Sequence, residues 1–296
     1  MGSYIVVGAG PVGRETARLL AEEGHQVTLT SRSVGSADAE GIRTVSADAT
    51  DAEALARLSD EADAIFMCAM AAYHRWPADF FPILDGTVQA AETVGAKLLI
   101  VGNVYGYGQS APNPLRAEGV LDPSTRKGTV RAIMWERALR SKVPALEIRP
   151  GDYLGSGAVT YFGLLALPSL LKGTDVGFLG SFDEPHAWSY TKDVARTLVA
   201  ASKYEGAWDR AFMAPVQHAT VRELVTKVAA IRNLPVPDMK ILPPSTLEAI
   251  GAGEMVEMSY QFEKPLLIDA SETEKLLNVT ASDLDEMLED TLRGLK

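Results

Sequence analysis

A short apolar run, Tyr4-Ile5-Val6-Val7, leads directly into Gly8-Ala9-Gly10-Pro11-Val12-Gly13 and then into an amphipathic stretch over residues 14–23. No other feature limits the fold as strongly. Gly8 permits a tight turn, Gly10 leaves room for an anion to approach the backbone, and Gly13 lets the following helix pack on the strand. The helix start, from Pro11 and Val12 onward, offers free N–H groups and the positive end of its dipole. Strand, loop and helix in that order predict a pyrophosphate-binding turn at the edge of a parallel sheet.

The same alternation continues through the first half of the chain. Residues 26–30, 42–46, 64–67, 97–101 and 145–148 read as strands, and residues 52–58, 80–93 and 129–141 as helices. Strands alternating with helices predict a parallel sheet covered on both faces. Gly24 and Gly95 stand where left-handed helix ends are needed. After Pro150 the rhythm changes: residues 161–171 read as an apolar helix, 173–185 as a loop, and 192–202 and 210–214 as a helix and strand of the sheet layer. Helices with proline-containing connectors follow from Thr220. The expected fold is α/β, a Rossmann-type doubly wound parallel sheet with a smaller, mostly α-helical C-terminal substrate lobe. Residues 1–150, with 186–215, form the nucleotide-binding domain; 151–185 and 216–296 form the lobe.

The end of the second strand selects the cofactor. An NAD site usually carries a carboxylate about 20 residues past the glycines, for the adenosine ribose. Here the strand ends Leu29-Thr30-Ser31-Arg32. Ser31 can hydrogen-bond a 2′-phosphate and the Arg32 guanidinium can pair with it, with Arg14 as a second cation. NADP (as NADPH) is therefore expected over NAD; a solvated surface arginine is the plainer reading of Arg32. Asp48 and Ala49 follow the third strand, where a carboxylate can accept from the adenine amino group, while Thr50 or Asp51 suits the helix cap better. Cys68-Ala69-Met70-Ala71 supplies small residues, Ala69 and Met70 among them, for a ribose to lie on.

Composition narrows the partners. With 28 Lys+Arg against 39 Asp+Glu the formal charge is −11, and an acidic surface repels nucleic acid and anionic lipid. No apolar stretch is long enough for a membrane span. The single cysteine, Cys68, excludes an intrachain disulfide, and no His/Asp/Glu spacing suggests a metal site. A cytoplasmic protein with a small-molecule substrate is the expectation.

The glycine loop, Asp48, Cys68 to Ala71, Val104-Tyr105-Gly106, Arg149-Pro150-Gly151 and Ser189-Tyr190-Thr191-Lys192-Asp193-Val194-Ala195 together resemble the short-chain dehydrogenase/reductase superfamily, in its NAD-dependent epimerase/dehydratase branch. The resemblance covers nearly the whole chain and implies a cleft between two lobes and a homodimer. It also implies a Ser or Thr and a Tyr-x-x-x-Lys pair, in which the tyrosine moves a proton and the lysine lowers its pKa. That pair is absent here. The corresponding segment reads Pro123-Ser124-Thr125-Arg126-Lys127-Gly128-Thr129-Val130-Arg131, which puts Lys127 at the tyrosine position and Arg131 at the lysine position, or Lys127 at the lysine position after a one-turn shift. The serine stretch is Val101-Gly102-Asn103-Val104-Tyr105.

Three readings stand open. Lys127, beside Arg131, acts as proton donor; or Tyr105 or Tyr107 replaces the tyrosine, with Asn103 polarising the substrate oxygen; or the site is redox-silent and serves sensing. The substrate wall is expected from Tyr73, His74, Trp76, Trp135, Asp152, Tyr153, Trp188 and Tyr190. Such a lining favours an apolar or ring-containing carbonyl or alcohol over a sugar nucleotide. The expected function is an NADP-dependent oxidoreductase, or an epimerase/dehydratase with transient hydride transfer. A non-catalytic NADP sensor, or an isomerase or lyase without net redox, are the alternatives.

Overall fold

The computed structural model describes residues 1–32, 41–249 and 251–295. The first half contains β1 (Ser3–Val7), α1 (Pro11–Glu22), β2 (Gln26–Ser31), β3 (Ile42–Ser46), α2 (Ala52–Leu58), β4 (Ala64–Met67), α3 (Trp76–Val94), β5 (Lys97–Val101), α4 (Arg126–Leu139) and β6 (Ala145–Arg149). β7 (Asp152–Leu154), α5 (Leu167–Leu171), β8 (Val176–Phe178), β9 (His186–Tyr190), α6 (Thr191–Ser202), β10 (Arg210–Met213) and β11 (Gln217–Ala219) follow. The chain ends with α7 (Val221–Ile231), β12 (Met239–Ile241), α8 (Ser245–Ala249), α9 (Ser271–Leu277) and α10 (Leu284–Arg293).

Seven strands form one sheet in the order β10-β6-β5-β4-β1-β2-β3, every neighbouring pair parallel. The side-chain period of two sorts each central strand between two cores. Ile5, Val7, Ile65, Met67, Leu98 and Ile100 pack with α2, α3 and α4. Val6, Phe66, Leu99, Leu146 and Ile148 pack with α1 and α6 on the opposite face. The doubly wound arrangement is thus the one the sequence predicts. Strand order reverses between β1 and β4, and their following helices, α1 and α3, leave to opposite faces. A crevice opens at that point, beyond the strands' C-terminal ends.

The helix ends follow their local chemistry. Asp51 caps α2 by accepting from the Ala54 N–H, and Gly95 closes α3 in the left-handed region at φ 71°. α3 begins four residues before the expected start, because Pro77 suits a first helical turn, and it accommodates Pro82 inside. The segment 173–185, expected as loop, contains β8, which pairs in parallel with β12. The C-terminal half therefore carries two small sheets beside its helices, β12-β8 and β11-β9-β7, and β9, expected in the nucleotide-binding domain with residues 186–215, pairs with β7 and β11 instead of joining the large sheet. An aromatic core that includes Phe162, Phe178, Trp188, Tyr190 and Phe262 fills the lobe. Among the described residues no helix is long and apolar enough to cross a membrane.

Candidate active site

The crevice holds a cavity of about 710 Å³ lined by the glycine loop, Thr30-Ser31-Arg32, residues 47–50, residues 68–70, and Arg75, Ala78, Asp79, Pro82 and Ile83 of the segment after β4. The glycines do what the spacing implies. Gly8 has φ +107°, and a Cβ there would lie 2.5 Å from the Ala69 backbone. A Cβ on Gly13 would lie 1.9 Å from the Gly8 carbonyl, whereas one on Gly10 would meet nothing within 4 Å. Two glycines are required by packing and the middle one by empty space, which is the shape a pyrophosphate needs. Gly10 caps α1 without any side-chain bond, so the first N–H groups of α1 face the crevice unclaimed by a capping side chain. The residues present fit a dinucleotide.

At the adenosine end, Asp48 Oδ1 accepts from both the Thr50 N–H and hydroxyl at 2.9 Å. Those bonds hold its carboxyl below the usual carboxylate range. Asp51, not Asp48, caps the helix, which leaves Asp48 oriented toward the cavity it lines. Ser31, Arg32, Ala49, Ala69 and Met70 also line it. Pro11, Val12 and Arg14 do not, and Arg14 is exposed on α1. Burial pushes the Cys68 thiol up to about 12, so it behaves as an apolar group.

Several expected residues converge at the other end of the crevice. The Arg131 guanidinium lies 4.8 Å from the Trp76 ring and 4.4 Å from Phe80. Tyr105 stacks on Trp76 at 5.9 Å and Tyr73 meets the same indole edge-on at 5.1 Å. Arg131 is 3% exposed, donates to the Val101 carbonyl at 3.1 Å and contacts Met70 Sδ at 3.6 Å. Its Nε has no partner, and among the described residues no carboxylate lies within ion-pair distance. Burial lowers its pKa. Burial also raises the Tyr105 hydroxyl well above its ordinary range; Tyr73 and Asp152 add to this and Arg131 opposes it. Asn103 Oδ1 accepts the Tyr105 N–H at 3.1 Å, which fixes the turn that aims Tyr105.

Lys127 faces a different partner from the one its spacing suggests. Its Nζ donates to Glu257 Oε1 and the Glu254 carbonyl, both at 2.7 Å, and lies 4.4 Å above the Tyr73 ring. Glu257 Oε2 also accepts the Arg126 N–H at 2.9 Å, at the start of α4. A carboxylate from the lobe therefore holds Lys127, and Arg131 is not its immediate partner. Tyr107 is buried and receives a hydrogen bond from Arg149 Nη1 at 2.7 Å, so it is part of the support below the crevice.

The expected substrate wall divides. Tyr73, Trp76, Asp152 and Tyr153 surround the Arg131–Tyr105 region, with Tyr153 electrostatically close to Arg131, Cys68 and Asp152. His74 is exposed on the turn before α3. Trp135 packs beneath Arg149, 5.7 Å from its guanidinium. Trp188 is fully buried in the lobe, donating to the Ala219 carbonyl at 2.9 Å, and Tyr190 is 1% exposed in the same core. The last three lie in cores because strands and helices buried on both faces turn their aromatics inward.

Sequence reasoning missed three features. Arg75 and Asp79 line the cavity and pair with each other; their i,i+4 spacing was the available signal. Asp152 Oδ2 lies 2.8 Å from His186 Nε2, and the buried His186 Nδ1 has no partner. Glu257 had no local signal, because its partners lie 130 or more positions away.

The crevice and its glycine loop define a Rossmann protein built for a pyridine dinucleotide. Residues 8–141 match the NAD(P)H-binding family. Over its whole length the chain shares its fold with solved epimerase structures. It is similar to an epimerase from Methanothermobacter thermautotrophicus (TM-score 0.81, 19% identity, 99% of this chain and 91% of that one). UDP-glucuronic acid 4-epimerase from Bacillus cereus, solved with UDP-glucuronic acid and NAD, is similar at TM-score 0.79 and 15% identity, covering 99% of this chain and 98% of that one. UDP-glucose 4-epimerase from Thermotoga maritima, solved with UDP-glucose, has TM-score 0.78 and 17% identity, with 99% and 98% coverage. No curated protein matches the sequence.

Proposed function

We propose that the chain is an NADP(H)-dependent enzyme of the epimerase/dehydratase type, acting on the carbonyl or alcohol carbon of a small apolar or ring-containing substrate. One observation carries the cofactor half: among the described residues, the cavity wall at the end of β2 presents Ser31 and Arg32, and no acid, where an NAD ribose would take a carboxylate. NAD is the coenzyme in the Bacillus cereus structure, so the difference at β2 is the point to test. When bound, the dinucleotide supplies or accepts a hydride at its nicotinamide ring. Arg131 stands at the lysine position of the missing pair, with an unpartnered Nε, and would hold the nicotinamide ribose there.

A guanidinium does not release its proton near neutral pH, so proton transfer falls to another group. Tyr105 is the best placed: it stacks on the same indole as Arg131, and burial keeps its hydroxyl protonated, while the Arg131 charge opposes the rise in pKa and favours release of the proton to a substrate oxygen. Lys127 would have to leave Glu257 and the Glu254 carbonyl to serve that role. Lys127 and Arg149 are each engaged with a carboxylate, which argues against a diphosphate-bearing sugar as the substrate.

The test is single-turnover NADPH oxidation with a panel of aromatic and aliphatic carbonyls, run beside protein loaded with NADP⁺ and given UDP-glucose or UDP-glucuronic acid, where turnover is read as transient NADPH absorbance or formation of the epimer. Oxidation with a panel carbonyl supports the reading; turnover with the UDP-sugars alone overturns the substrate class. The absent pair and the tethered Lys127 favour a second reading, a non-catalytic NADP-responsive protein. Tight NADPH binding without oxidation by any panel member would favour it.

A further inference from the structure

The adenosine end of the cavity has a second cation that the β2 strand does not supply. Arg75, the residue before α3, lines the same cavity as Ser31 and Arg32. Its Nε and Nη2 donate to Asp79 Oδ2 and Oδ1 at 2.6 and 2.7 Å. That pairing occupies one edge of the guanidinium and leaves Nη1 with its own donors. Asp79 is also within electrostatic reach of Arg32, so one carboxylate sits by two arginines from different elements. The N-cap of α3, a helix of 19 residues, makes no side-chain capping bond, and a helix start favours an anion. Arg14, the second cation expected from sequence, is exposed and off the cavity wall.

We propose that Arg75 is the second binding residue of a 2′-phosphate subsite, acting with Arg32 while Asp79 positions it. The inference rests on the NADP reading above and names the group that completes it. A phosphate monoester carries up to two negative charges near neutral pH, and a pair of guanidiniums can share its oxygens where a single one leaves part of that charge to water. If Arg75 and Asp79 were only an exposed helix pair, the arginine would contribute little to stability and nothing to ligand choice.

Calorimetric titrations of the wild type, Arg75→Gln and Arg32→Gln separate these cases, using NADPH, NADH, adenosine 2′,5′-bisphosphate and adenosine 5′-monophosphate as ligands. Arg75→Gln is expected to weaken NADPH and the bisphosphate about tenfold, with NADH and the monophosphate changed less than about twofold. Arg75→Lys should recover part of the loss, because it restores charge without the fork. If Arg75→Gln leaves the NADPH/NADH ratio unchanged while Arg32→Gln lowers it, the subsite belongs to Arg32 alone and this inference is overturned with the NADP reading intact. If the wild type does not distinguish NADPH from NADH, the NADP reading fails and the subsite with it.

Discussion

Gly10 and Gly13 differ by three positions and by opposite physical demands. A methyl group on Gly10 enters open space, while one on Gly13 collides with the Gly8 carbonyl. Gly10→Ala should therefore fold with a melting temperature close to the wild type, yet lose at least about tenfold in NADPH affinity by obstructing the phosphates. Gly13→Ala should lose stability, by about 1–3 kcal/mol, the usual cost of overpacking. Parallel thermal melts and NADPH titrations check both; equal melting temperatures for the two variants would contradict the assignment. Single residues were legible in sequence wherever backbone geometry dictates the residue type, as in this loop and at Asp51. Side chains that choose partners across the chain were not. Lys127 reads as a free cation until Glu257 is seen beside it, and Trp188 reads as a cleft aromatic until β9 is seen to be covered on both sides.

Elements were more legible than side chains, because period-two burial and helix caps act locally. The boundaries that moved, such as the start of α3, lie where proline permits a helix to begin earlier. β8 escaped notice because a three-residue strand exists only through its pairing with β12, a tertiary fact. The contact between α4 and the segment around Glu257 has a consequence for stability. Lys127 and Glu257 are 7% and 26% exposed at their side chains, and removing one partner from a largely buried pair typically costs ~3 kcal/mol or more. Lys127→Met should lower stability by about that amount in urea unfolding, whereas a free, solvated lysine would cost less than about 0.5 kcal/mol. Turnover measured on the folded fraction separates this from a proton-donor role. Loss of chemistry with unchanged stability would return Lys127 to the catalytic reading and displace Tyr105.

At the scale of the whole molecule, α10 ties the lobe to the sheet layer through one carboxylate. Asp290 accepts from the Ser156 N–H at 3.0 Å and from Lys192 at 3.1 Å. Burial pushes its carboxyl up, but the Ser156 N–H and the Lys192 ammonium more than offset this and hold it below the ordinary range. A depressed native pKa gives stability that is present above the unfolded value, near pH 4, and lost as pH falls through the native one. Asp290→Asn should thus cost about 2 kcal/mol at neutral pH, with the gap to wild type narrowing below about pH 4; a constant gap across that range would contradict the ionic role. This tie, like Glu257, joins segments far apart in the chain, which is why the arrangement of the lobe was less legible than the sheet. On the proposed reading, the crevice holds a dinucleotide bearing a 2′-phosphate. Calorimetric titration of the unaltered protein with NADPH and NADH tests it most directly: NADPH should bind at least about tenfold tighter, and equal affinity, tighter NADH, or no binding of either at millimolar concentration would contradict it.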